Sequence, residues 1–150
     1  MSENDAQSGT PNQPTPNDAA WRGARLALPA NGVGSIAGFG QRVLALSLDW
    51  ALSSVLTLLL GARYASPSYN LTVFILTAVL MWLAVTVTGA SLGQHAVGIA
   101  VARLSGGRLP LLHALVRTAL LMLVFPAVIT DSDGRGLHDK AVGSVVIKSR

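Results

Sequence analysis

Asp49 sits inside an apolar run, Val43 to Leu60, that is long enough to cross a bilayer, with Arg42 at its mouth. A carboxylate at that depth costs roughly 2.5–3.5 kcal/mol on insertion scales, so such residues face a protein interior and have a partner. On an ideal helix Arg42, Asp49, Ser53 and Thr57 fall within about an 80° sector, because four- and seven-residue steps return nearly to one face. This is a polar stripe down one side of the helix. Asp49 is about 10 Å deeper than Arg42, which stretches a direct contact between them.

A second group lies further on. Pro110 opens a third apolar segment, and Arg117, seven residues in, reaches about the same 10 Å depth as Asp49. The matched depths predict an Asp49–Arg117 pair between helices, with His113, one turn earlier, as a polar neighbour. Such a pair reads in two ways: as part of an ion or proton pathway, or as a device that fixes helix packing. The packing reading is preferred. In the tail, His138 and Asp139 have the types of a catalytic base and its orienter, but adjacent residues seldom face each other and no nucleophile is evident. The preferred expectation is a structural loop whose Asp139 meets a basic group such as Arg42. That contact requires the tail to lie on the cytoplasmic side.

The elements that must position these residues are mainly helical. Residues 1–35 are rich in Ser, Asn, Gln, Pro and Gly, with Pro11, Pro14 and Pro16 close together, and are expected to be a disordered cytoplasmic tail. Within it, Trp21, Arg22 and Arg25 either contact lipid headgroups, whose chemistry they suit, or belong to a solvated tail with one incidental Trp. A membrane domain over 38–147 then holds spans at about 43–60, 71–88 and 110–130. The second is free of charge. The third carries His113, Arg117 and Pro126 and is expected to be kinked or re-entrant, since proline removes a helical hydrogen bond. Val97 to Arg103 alternates with period two before the turn signal Ser105-Gly106-Gly107, which predicts a short cytoplasmic β-hairpin. The β-branched run Val142 to Ile147 is a candidate third strand.

Composition agrees with a membrane chain. Apolar residues make up 51% and charged ones 12%, against about 25% charged in soluble proteins. The eleven Lys and Arg do not cluster, so the net charge of +4 does not indicate nucleic acid binding. Without Cys there are no disulfides or thiolate sites, and three scattered His do not suggest a metal. No cofactor is expected, and a cleaved signal peptide is not supported. Arg22, Arg25 and Arg42 before the first span, against Arg63 alone after it, place the N-terminus in the cytoplasm. The basic tail also prefers that side, whereas a complete third crossing would export it; a cytoplasmic tail is favoured.

Three stretches then match a known pattern: Gly38-Phe-Gly-Gln-Arg42 with Asp49, Thr88-Gly-Ala-Ser-Leu-Gly-Gln94, and Gly136-Leu-His-Asp139-Lys-Ala-Val-Gly-Ser144-Val-Val-Ile147. The chain resembles the RDD family of prokaryotic membrane proteins, named for one arginine and two aspartates, which by motif are Arg42, Asp49 and Asp139. Arg117 matches a further frequent arginine. Ser144 stands where the family usually has Thr, and the third apolar run is shorter than the helical pair of many members. The resemblance implies a plasma-membrane, multi-pass protein without an assigned activity; some relatives have been proposed as cation/proton antiporters. The expectation is a small polytopic helical bundle in the lipid bilayer, non-enzymatic, acting as an accessory or scaffolding component in a homo-oligomer or larger complex. The alternative is an oligomeric transporter of a small ion or solute.

Overall fold

Two long helices form where the first two apolar runs lie. In the computed structural model, which describes residues 23–64, 66–107, 109–123 and 136–150, α1 spans Phe39–Leu59 and α2 spans Pro67–Thr88. Both start four residues before the apolar runs because their start signals lie outside them. The Gly38 amide donates to Gln41 Oε1 at 3.1 Å. Ser66 Oγ accepts from the Tyr69 amide at 3.1 Å, and Pro67 takes the first helical position, where its missing N–H removes no bond. Gly89 ends α2 at φ 85°, a left-handed cap that a side chain would resist. Each helix is about 30 Å long at 1.5 Å per residue, matching the hydrocarbon core of a bilayer. By length and composition both can cross a membrane.

The buried seams are narrow. They run through Ala45, Asp49, Ser53 and Thr57 on α1, and through Tyr69, Val73, Thr77, Met81 and Val85 on α2. Residues four apart share one helix face. Leu44, Leu48 and Val55 on α1, and Leu71, Ile75, Leu83 and Val87 on α2, point outward. On α1 the inner row is small and polar and the outer face aliphatic, and on α2 both faces are largely apolar; both suit lipid, where helices associate by close packing and hydrogen bonds.

Beyond α2 come α3 (Leu92–Val97), β1 (Ile99–Arg103), α4 (Leu111–Met122), α5 (Leu137–Ala141) and β2 (Ser144–Lys148). The period-two segment does become a strand, but the expected local hairpin does not form. β1 pairs antiparallel with β2, Arg103 opposite Ser144 and Ile99 opposite Lys148. After the turn, Pro110 and a Leu-rich helical sequence follow, which suit helix entry better than a ladder; the β-branched Val142–Ile147 run supplies the partner instead. The other edge of β2 is met by the chain entering α1. Gly34 N donates to the Lys148 carbonyl at 2.8 Å, Lys148 N to Ser35 at 2.9 Å and Ala37 N to Val146 at 2.9 Å. The end of the segment expected to be a loose tail is therefore hydrogen-bonded at the sheet edge. Its part before residue 23, including Trp21 and Arg22, lies outside the described residues.

In the third apolar segment α4 covers twelve residues, about 18 Å of helix. Residues 124–130 of the expected segment, with Pro126, lie outside the described residues. A core of Ala45, Met81, Val85, Ile99, Val101, Leu109, Ala114 and Val146 joins the helices to the sheet. Because β2 pairs both with the chain entering α1 and with the strand that follows α2 and α3, the start of α1, the end of α2 and the C-terminal strand gather at one end of the helix pair.

Candidate functional site

α3 has six residues, too few to be stable alone. Its start is held by a reciprocal capping box: Ser91 Oγ accepts from the Gln94 amide at 3.2 Å, and Gln94 Oε1 accepts from the Ser91 amide at 2.9 Å. The Ser91 hydroxyl proton is then free for another acceptor. It goes to Asp49 Oδ2 at 2.5 Å, while the Gly93 amide donates to Asp49 Oδ1 at 2.7 Å. Both carboxylate oxygens of α1 are thus engaged by the N-terminus of α3, where helix amides lack intrahelical partners. The approach demands glycine. A Cβ at position 93 would collide with the Ala45 backbone carbonyl, one turn before Asp49.

Asp139 centres the second cluster. α5 presents its carboxylate to α4, where Arg117 Nε donates to Oδ1 at 2.8 Å. From β2, Ser144 Oγ donates to the same oxygen at 3.2 Å. On the other side Arg42 Nη1 lies 3.6 Å and His138 Nε2 3.4 Å from Oδ2. The Asp139 side chain is wholly buried, as is nearly all of Arg117. Burial pushes the Asp139 carboxyl up, but the charges of Arg117, His138 and Arg42 and the Arg117 hydrogen bond outweigh it, so its pKa is held below the ordinary carboxylate value.

The predicted residues are therefore distributed differently from the expected pairing. Asp49 does not meet Arg117: α3 occupies the space beside Asp49, and the returning α5 brings Asp139 to Arg117. Equal depth on two helices does not determine which faces meet. His113 is exposed, off the buried face of α4 made by Ala114, Arg117 and Thr118. Arg42 turns to Asp139, and Ser53 donates to the Asp49 backbone carbonyl at 3.0 Å, not to its carboxylate. His138 and Asp139, although adjacent, do approach each other.

Sequence reasoning missed Ser91, Gly93 and Ser144. The Ser91-x-x-Gln94 spacing is a capping box that could have marked a helix start, but nothing local says that its spare hydroxyl proton serves Asp49.

In chemical terms the first cluster binds α1 to α3, and the second binds α1 and α4 to α5 and β2. Among the described residues no group of three or more His, Cys, Asp or Glu is placed to hold a metal ion. No curated protein and no solved structure matches the chain. The RDD family model matches residues 36–143, from the sheet-edge segment before α1 through α5, and includes both aspartates and Arg42. Over most of its length, this chain belongs to the RDD family.

Proposed function

We propose that the chain is a non-enzymatic, multi-pass plasma-membrane component of accessory or scaffolding type, its N-terminus cytoplasmic and its charge network structural. One observation carries the reading: both buried carboxylates, Asp49 and Asp139, are held by fixed donors that tie separate elements together. The rest of the polar seam is similarly closed. Ser53, Thr57 and Thr77 each donate to the carbonyl four residues back, at 3.0, 2.8 and 2.8 Å, so the hydroxyl protons of the α1 and α2 seams are used within their own helices. The start of α4 is bonded to Trp82 in the last third of α2, and α5 meets Arg42 at the start of α1; both therefore lie toward the same end of the helix pair, which supports a re-entrant third element and a cytoplasmic tail. A homo-oligomer or a larger membrane assembly is the setting for such a component.

A second reading, exchange of a small cation or proton by an oligomer, draws on Asp49 alone, which makes no ion pair among the described residues. Proteoliposomes separate the two. With Asp49→Asn and wild type matched for assembled protein, the scaffolding reading expects equal, near-background ion flux and a lower yield of assembled variant. Flux in wild type that disappears in an assembled variant would favour transport.

A further inference from the structure

α1 carries four hydroxyl residues, and three of them follow one rule. Ser47, Ser53 and Thr57 donate to the carbonyl four residues back, at 3.0, 3.0 and 2.8 Å. Ser54 is half-buried and makes no hydrogen bond among the described residues. One turn earlier Trp50 is 45% exposed, and its indole N–H has no acceptor among the described residues either. The indole of α2 shows the ordinary outcome: Trp82 Nε1 donates to the Leu111 carbonyl at 3.0 Å.

Position makes these two groups costly. Trp50 is about 16 Å and Ser54 about 22 Å along a helix of about 30 Å, which places both within the hydrocarbon of a bilayer. Water is scarce there, and a polar group left unpaired in lipid is strongly disfavoured. Protein must supply the missing partners.

The residues around them indicate which protein. Gly40, Val43, Ser47, Trp50 and Ser54 fall within about an 80° sector of an ideal helix, turned away from the buried row through Asp49. Their steps of three and four residues average 3.5, the spacing at which two helices keep one seam in contact. A Cβ at Gly40 would meet nothing within 4 Å, so no close approach among the described residues requires that glycine. Two copies inserted in the same direction are related by a two-fold axis along the membrane normal, which sets equal residue numbers at equal depth. Helical side chains lean toward the N-terminus, which carries Trp50 toward Ser47 of the second copy. The Ser47 proton is already given to the Val43 carbonyl, and its lone pairs are open to a donor.

We propose that this face of α1 is the contact between two copies of the chain, α1 parallel to α1, with Trp50 Nε1 of each donating to Ser47 Oγ of the other and the two Ser54 hydroxyls paired across the axis. The proposal names the surface of the homo-oligomer proposed above and rests on that reading.

The chain has no Cys, so single-Cys variants report contacts without background. In proteoliposomes treated with copper phenanthroline, Val43→Cys should cross-link to a dimer, and Ile75→Cys, on the outward face of α2, should not. Dilution of donor- and acceptor-labelled full chain into lipid, read by energy transfer, measures the affinity. Trp50→Phe with Ser54→Ala should weaken the dimer roughly tenfold, the size expected for losing a few interhelical hydrogen bonds, since Phe keeps an aromatic ring and removes the donor. Unchanged affinity in the assembled double variant would overturn the proposal. Cross-linking at Ile75→Cys equal to or above that at Val43→Cys would overturn this face while leaving a homo-oligomer standing, and a chain that stays monomeric at every dilution would overturn both. If the double variant does not assemble, the two cross-linking variants decide.

Discussion

The carboxylate of Asp49, inside α1, accepts the backbone amide of Gly93, the second residue of α3, at 2.7 Å. A charge within one helix thereby completes the cap of another. Its desolvation is offset by two short, directed donors, and hydrogen bonds to a charged group are worth about 1.5–3 kcal/mol, more than neutral ones. The same contact explains the glycine at position 93. α3 must lie against the α1 backbone for its amides to reach the carboxylate.

Gly93→Ala is expected to destabilise the protein by about 1–3 kcal/mol, the usual range for overpacking. The obstacle is the Ala45 carbonyl, a backbone group. Ala45→Gly should therefore fail to rescue the variant. Thermal unfolding in detergent, followed by helical signal and monodispersity, measures both.

Acid should loosen the C-terminal lobe. The Asp139 pKa is held below its ordinary value, which is about 3.9 in an unfolded chain. Its stabilisation is therefore complete above that value and is lost as pH falls from there through the lower folded value. Asp139→Asn should remove this pH dependence. It should also destabilise the protein at neutral pH by about 3–5 kcal/mol, because Arg117 is left as an uncompensated buried charge. Hydrogen exchange of β1 and β2 amides across pH 3–6 reports both effects; an unchanged acid profile in the variant would contradict the assignment.

How much of this was legible in the sequence depended on the range of the signal. The two long helices follow from the length of two apolar runs and the strand at Ile99–Arg103 from period-two alternation, and the polar stripe of α1 appears as the buried row Asp49, Ser53 and Thr57. Arg42 lies beside Asp139, as expected of a loop carboxylate meeting a basic group at the same surface. Partner choice was less readable. Asp49 and Arg117 match in depth and charge, but neutral donors from α3 satisfy Asp49, and a backbone amide such as that of Gly93 leaves no mark in side-chain patterning. The strand pairing went the same way. Turn chemistry at Ser105–Gly107 argued for a neighbour in sequence, whereas the ladder formed with a β-branched segment some forty residues on.

Asp49 being bound to α3 and not to Arg117 is tested most directly by two double-mutant cycles on unfolding free energy, one combining Asp49→Asn with Ser91→Ala and the other combining it with Arg117→Gln. The first should show coupling of about 1 kcal/mol or more, as for residues in one hydrogen-bond network, and the second should be additive within about 0.5 kcal/mol, as for sites without shared partners. Additivity in the first cycle with strong coupling in the second would contradict the arrangement and restore the Asp49–Arg117 pair.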